Sequence, residues 1–180
     1  MIETARLTIR PWRDADRAPY HAIGAHPEVM RFLGPIQSRA ETDVAIDRMI
    51  AAERAHGFCF WAVERRSDGA LLGYCGLLPA KPPIDGDIEI GWRLGRAFWG
   101  QGYAFEAAQS CLDWAWRRLD VDTVAAITVA ANTRSWGLME RLGMTRIAGG
   151  DFDHPGVPDG SPLKRHILYR IGRPDRSASG

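Results

Sequence analysis

Two stretches of the 180-residue chain combine residue types and spacings that could do chemistry. The first reads Glu89-Ile90-Gly91-Trp92-Arg93-Leu94, then Gly95 to Phe98, then Trp99-Gly100-Gln101-Gly102-Tyr103-Ala104 ahead of a long helical pattern. A helix N-terminus exposes free backbone N–H groups at the positive end of its dipole, and small residues let an anion approach them. In physical terms Gly100 to Ala104 is a cradle for a pyrophosphate. A plain strand-to-helix loop that needs glycine torsions has the same composition, so this segment alone leaves both readings open. The second stretch, Asn132-Thr133-Arg134-Ser135, ends a later strand and opens a helix. Asn and Ser at such a position can cap the helix or offer an amide and a hydroxyl to a ligand. The order of the two signals, one helix and one strand apart, favours the ligand.

Other chemistries fit less well. A P-loop needs Gly-Lys-Ser/Thr, and the chain has no such triplet. A dinucleotide loop needs Gly-x-Gly-x-x-Gly directly after a first parallel strand, whereas Phe105 stands at the third glycine and several residues separate Leu94 from Gly100. His21, His26, His56, His154 and His166 form no i,i+4 pair, and Cys59, Cys75 and Cys111 form no Cys-x-x-Cys, so no metal is expected. The three cysteines read as buried free thiols, and His154 near Asp151 and Asp153 as part of a loop rich in Gly and Pro.

These residues must be positioned by an α/β scaffold. Leu7 and Ile9 alternate with Arg6, Thr8 and Arg10 in a first strand over Ala5 to Pro11. Asp14 to Ala25 reads as a short helix capped by Asp14, with a second turn through Leu33 after Pro27. Ser38-Arg39-Ala40-Glu41 is a capping-box pattern for a helix that runs to Gly57. Phe58 to Val63 and Leu71 to Leu78 form a hairpin around Ser67-Asp68-Gly69, and Asp87 to Leu94 is a fourth strand. The glycine-bearing loop leads into a helix through Leu119, then a fifth strand Val124 to Ala130, a helix Thr133 to Leu142 ended by Gly143, and strands Met144 to Ala148 and Lys164 to Ile171. The order implies a mixed sheet with one βαβ crossover. Seven tryptophans belong mostly in or against its core, each Nε1 seeking a partner.

Composition narrows the function classes. With 23 Lys+Arg against 22 Asp+Glu the net charge is +1, which excludes a polybasic nucleic-acid arm or an acidic tail. At 46% hydrophobic and 25% charged residues, a single folded domain over 1–172 is expected, with a polar, disordered tail over 173–180. No uncharged stretch approaches the ~20 residues of a membrane span. Charges interrupt any apolar signal at the N-terminus, so a cytoplasmic location with no membrane partner is expected.

From Arg6-Leu7-Thr8-Ile9-Arg10 through Pro27-Glu28-Val29-Met30-Arg31-Phe32-Leu33 to Leu142-Gly143-Met144, the sequence resembles the GNAT superfamily of acyl-CoA-dependent N-acetyltransferases. Within it the resemblance points to the branch of ribosomal-protein (Rim-type) N-terminal acetyltransferases. The family's pyrophosphate signature, Arg/Gln-x-x-Gly-x-Gly/Ala, falls on Trp99 to Ala104, with Gly102 and Ala104 matching and Trp99 replacing the basic or amide residue. The resemblance implies a mostly antiparallel sheet of about seven strands flanked by about four helices, splayed between the fourth and fifth strands.

It also implies acetyl-CoA as co-substrate, without a metal. Trp92, Arg93 and Leu94 would lie along the pantetheine arm, with the backbone of Trp92 and Leu94 bonding it. The amides of Gly100, Gln101, Gly102, Tyr103 and Ala104, with Trp99 ahead of them, would hold the pyrophosphate. Asn132 would fix the pantetheine or acetyl end, and Ser135 would lie near the sulfur. Arg134 and Arg141 would meet adenosine phosphates or stand on solvated helix faces.

The reaction needs an uncharged amine, a stabilised oxyanion and a proton for the departing thiolate. A Lys-like amine has a pKa near 10.4 and an α-amine about 7.7 to 8.0, so the latter needs less help. Glu89 is the candidate base, directly or through water, unless it is a strand-end partner in a charge pair. Many family members place a Tyr seven residues after the Asn as thiolate donor; here that residue is Met139, and Ser135 matches the donor assigned in the Rim-type branch. The acceptor would be a protein N-terminus or a small-molecule amine, walled by Met30 to Pro35 and Gly149 to Leu163. A non-catalytic acyl-CoA-binding module of the same fold is the alternative, and a homodimer through exposed tryptophans a further expectation.

Overall fold

The computed structural model describes residues 1–174. Its strands are β1 (Ile2–Glu3), β2 (Leu7–Arg10), β3 (Phe60–Arg65), β4 (Leu71–Pro79), β5 (Ile88–Leu94), β6 (Thr123–Val129), β7 (Thr145–Arg146), β8 (Phe152–Asp153) and β9 (Arg165–Gly172). Its helices are α1 (Arg17–Gly24), α2 (Pro27–Met30), α3 (Arg39–His56), α4 (Tyr103–Arg118) and α5 (Thr133–Arg141). The strands form one sheet in the order β1-β2-β3-β4-β5-β6-β9-β7, with β8 also paired to β9. Every pairing is antiparallel except β5 with β6, which the α4 crossover joins in parallel. Nine strands stand where seven were expected because β1 and β8 are two-residue pairings too short to show a period.

Adjacent residues of a strand point to opposite faces, and β4 shows which helices lie where. Tyr74 meets Tyr20 of α1, with ring centroids 6.2 Å apart. The next residue, Cys75, meets Cys111 of α4, and both thiols are fully buried. Thus α1 and α3, which pack together, cover one face and α4 covers the other. The α3 helix starts at the expected capping box, with the Ser38 amide donating to Glu41 (2.7 Å) and the Glu41 amide to Ser38 Oγ (3.3 Å). It stops at Gly57, which supplies the left-handed φ of +80°.

Three expectations change. Asp14 does not cap α1; a 3-10 turn over Asp14–Asp16 precedes it, because Asp16 turns inward. No tryptophan is exposed; the exposed large apolar side chains are instead Leu33, Ile36, Val44 and Phe105, with Met1. Of the expected tail, residues 175–180 lie outside the described residues, while Arg173 is ordered. Its guanidinium donates to the carbonyls of Trp116, Leu119 and Val121, capping the C-terminal end of α4 with a cation.

Arg10, on the strand face that alternation made polar, is instead 3% exposed. It holds Asp16 through Nη1 (2.7 Å) and Nη2 (2.8 Å), and Glu64 through Nε (2.9 Å) and Nη2 (2.7 Å). This network ties β2, β3 and the turn before α1 into one unit. Removing the cation leaves Asp16 buried and unpaired, so Arg10→Ala should cost ~3–5 kcal/mol in urea unfolding. The Arg10→Ala/Asp16→Ala double variant should recover part of that loss; strict additivity would show that the pair is not coupled.

Candidate active site

The strand β5 is hydrogen-bonded to β4 along its whole length, but to β6 only at Ile88↔Val124 and Glu89↔Ala125. Beyond Glu89 the two parallel strands part. The Gly95 amide donates to the Leu72 carbonyl (2.8 Å), which makes Leu94 and Gly73 a non-hydrogen-bonded pair. Bonded and non-bonded pairs alternate in an antiparallel ladder, so the N–H and C=O groups of Trp92 and Leu94 point away from β4 into the gap. Arg93 alternates the other way. Its backbone faces β4, and its side chain lies on the α1/α3 face, so neither part of it reaches the cofactor side where it was expected.

Trp99 joins the three segments around this gap. Its indole N–H donates to the Leu94 carbonyl (2.8 Å), and its ring lies 4.8 Å from the Arg134 guanidinium and 5.1 Å from that of Arg96. The end of β5, the turn before α4 and the first turn of α5 are thereby held together. Gly100 and Gly102 have φ of +74° and +80°, and a Cβ on Gly100 would meet no atom within 4 Å. The turn is therefore open at Gly100, and the first amides of α4 have no intrahelical or side-chain cap partner. Arg6, which sequence reasoning did not place here, fastens it by donating to the Gln101 carbonyl (2.9 Å) and to Glu106 (2.6 Å), with its guanidinium over the Tyr103 ring.

Asn132 stands at the N-cap of α5 but makes no side-chain cap bond. Its amide nitrogen donates to Thr128 Oγ1 (3.1 Å), which leaves the carboxamide oxygen free. Ser135, half-buried, makes no side-chain hydrogen bond among the described residues. Met139 is 1% exposed and packed in the core, so nothing at the family's usual tyrosine position can donate a proton. Arg141 is exposed on the outer face of α5.

Glu89 occupies the last position paired with β6, at the inner end of the gap. Burial pushes its carboxyl up to about 7, with Lys81 pulling weakly the other way. Among the described residues it has no ion pair or hydrogen bond, so it is not the charge-pair residue that the sequence left open. On the same strand face, Arg93, Tyr20, Tyr74, Gln37, Trp12 and Phe60 line a cavity of about 120 Å³, closed on the α3 side by Ala45, Ile46 and Met49. Neither Met30 to Pro35 nor Gly149 to Leu163 lines it.

An acyl-CoA fits these features. The unpaired amides beside the gap suit a pantetheine arm, the open glycine turn at the N-terminus of α4 suits a pyrophosphate, and Arg134 stands next to both. Among the described residues, no group of three or more His, Cys, Asp or Glu is placed to hold a metal ion. No helix there is long and apolar enough to cross a membrane.

The family model of the acetyltransferase (GNAT) domain matches residues 6–145, and the chain belongs to that family of acyl-CoA-dependent acyltransferases. YkkB of Bacillus subtilis is 30% identical over 144 residues, 79% of this chain and 84% of that protein. The crystal structure of a GNAT-family acetyltransferase from Bacillus anthracis has a TM-score of 0.78 at 25% identity, covering 96% of this chain and 98% of that one. The ribosomal L7/L12 alpha-N-protein acetyltransferase RimL, in complex with coenzyme A, shares the fold with a TM-score of 0.76 at 18% identity over 94% of this chain and 95% of its own.

Two outcomes test the site. Valine at position 102 must adopt a left-handed φ, which costs ~1–3 kcal/mol, and places methyl groups in the turn. Gly102→Val should therefore lower the melting temperature and, in calorimetric titration of the folded protein, weaken acetyl-CoA at least ~10-fold; unchanged affinity would show that the turn does not hold the ligand. For Glu89, a carboxyl raised from 4.5 to about 7 binds more protons folded than unfolded, so it lowers stability as pH rises from 5 to 8. Glu89→Gln should match the wild type near pH 4 to 5 and exceed it by about 3 kcal/mol at pH 8 in urea unfolding.

Proposed function

We propose that the enzyme transfers an acetyl group from acetyl-CoA to a primary amine by direct attack in a ternary complex. The observation that carries this reading is Glu89, a carboxyl poised near neutral pH at the point where β5 and β6 separate. Acetyl-CoA supplies the acetyl thioester. The backbone of Trp92 and Leu94 aligns the pantetheine arm, the turn Gly100 to Ala104 holds the pyrophosphate, and Asn132 bonds the arm through its free carboxamide oxygen.

Glu89 accepts the amine proton, directly or through one water, as the new N–C bond forms. Ser135 donates a hydrogen bond to the sulfur as the C–S bond breaks, and solvent supplies the proton that converts the thiolate to the free thiol. An unperturbed hydroxyl is a poor acid, so Ser135 stabilises the leaving group without surrendering its own proton. The acceptor classes that fit an open gap are a protein N-terminus and a small-molecule amine, and the cavity beside Arg93 favours the second.

The test is thiol release from acetyl-CoA with pentylamine as acceptor, followed against pH. Glu89 must be deprotonated and so must the amine, so log kcat/KM should rise with slope near 2 below pH 7 and near 1 above it, up to the amine pKa near 10. Glu89→Gln should lower kcat/KM by ~10²–10⁴ and leave slope 1 throughout. Ser135→Ala should lower kcat ~10-fold without moving the break. A profile with the same break at pH 7 in Glu89→Gln would remove Glu89 from the role.

A further inference from the structure

Several buried or half-buried arginines are matched by charged groups or by carbonyls that satisfy the whole guanidinium, and Arg93 is not. Arg10 has two carboxylates, Arg170 has Asp87 at 2.6 Å, Arg17 has Asp14, Asp43 and Asp47, and Arg173 has three carbonyls. Arg93 has no carboxylate within 4.0 Å among the described residues. Its Nη1 donates to the neutral groups Gln37 Oε1 (2.9 Å) and Tyr20 Oη (3.2 Å). Its Nε is buried without any partner, and its Nη2 donates to nothing among the described residues. The Tyr74 and Tyr20 rings lie 5.5 and 6.0 Å from the guanidinium, and the neutral Tyr74 hydroxyl helps to hold its charge.

A guanidinium edge with two parallel N–H donors is the complement of a carboxylate, which accepts both. Burying such a cation unpaired is costly, and the structure keeps it at the wall of a cavity. The nearest carboxylate along the same strand face cannot serve. Glu89 lies four residues away, roughly 13 Å between Cα atoms, with Gly91 between them. The Phe60 ring covers Gly91, since a Cβ there would fall 2.7 Å from Phe60 Cζ, and it stacks on Tyr74 with centroids 5.2 Å apart. An apolar aromatic strip thus separates an unpaired base from an unpaired cation.

We propose that this cavity binds the carboxylate of the acceptor, so that the substrate is a small primary amine carrying a carboxylate at the other end of a short aliphatic chain. The inference rests on the amine-acetylation reading and adds the acceptor's chemical class. The carboxylate pairs with the Arg93 guanidinium through Nη2, the chain lies along Phe60 and Tyr74, and the amine reaches the end of the gap beside Glu89. A cavity of about 120 Å³ has room for the end of a small molecule and not for a folded partner.

The experiment compares amines that differ only by the carboxylate: 6-aminohexanoate against pentylamine, and lysine against 1,5-diaminopentane. The wild-type enzyme should favour the carboxylated member of each pair by ~10- to 100-fold in kcat/KM. Arg93→Gln should collapse that ratio towards one, and Arg93→Lys, which keeps the charge but not the fork, should retain part of it. A wild-type ratio near one overturns the proposal, as does a ratio that Arg93→Gln leaves intact. A second arm needs no turnover: calorimetric titration of the CoA-loaded protein with 6-aminohexanoate and with pentylamine. If no amine releases thiol, the transferase reading fails, while selective, Arg93-dependent binding of 6-aminohexanoate still upholds the carboxylate site and its absence overturns it.

Discussion

Two registers join β5 to β6, and past Glu89 the strands diverge with their backbone groups unmatched. Unpaired N–H and C=O groups inside a sheet are costly unless water or a ligand reaches them, so a sheet opens only where something fixes the opening. Here the Trp99 indole takes the Leu94 carbonyl, the one backbone acceptor that would otherwise lie nearest the cradle turn. The same ring carries Arg134 and Arg96, so the mouth of the gap and the first turn of α5 share a single anchor. The crossover helix α4 starts after the turn that Trp99 anchors to this mouth, and its first amides have no intrahelical partner. Every residue argued to touch an acyl-CoA is positioned by that divergence.

The strand that forms one wall of the gap also separates two environments. On the α4 side it contributes Ile90, Trp92 and Leu94 to the core, and on the α1/α3 side it presents Glu89 and Arg93, neither with an ion-pair partner among the described residues. Elsewhere the molecule pairs its buried charges, as the Arg10 network with Asp16 and Glu64 shows. The contrast gives the two unpaired groups their meaning. Glu89 responds to burial by holding its proton to near neutrality, whereas the Arg93 guanidinium cannot give its proton up and stays charged at the wall of a cavity.

Periodicity and capping made most of the scaffold legible. The Ser38 capping box, the Gly57 stop, the hairpin around Gly69 and the helix after Gly102 all lie where local chemistry puts them. The opening of the sheet followed from a family resemblance, since no local pattern reports where two strands part. Side-chain direction was the weakest reading. Arg93 sits between two residues whose backbones face the gap, and the alternation that sends its backbone to β4 depends on the β4/β5 register, which the sequence does not report. Tyr20, Gln37 and Phe60, distant in sequence, meet Arg93 only through tertiary packing, and Arg6 reaches the cradle from the first strand for the same reason.

The two departures from the family signature have different consequences. Met139 lies in the core, and a tyrosine there would have to force its larger, polar ring into packed space, so the proposed mechanism assigns the hydrogen bond to the thiolate to Ser135, one helical turn earlier in α5. Trp99 replaces a basic or amide residue of the signature, and its ring stacks against Arg134 of α5, which places a cation beside the turn. A cation held by a ring face keeps its N–H edge free for a phosphate, whereas one engaged by a carboxylate would not. With Trp99 at this position the cation beside the turn comes from α5, and under the proposed reading the contact between the loop before α4 and α5 helps to hold the pyrophosphate.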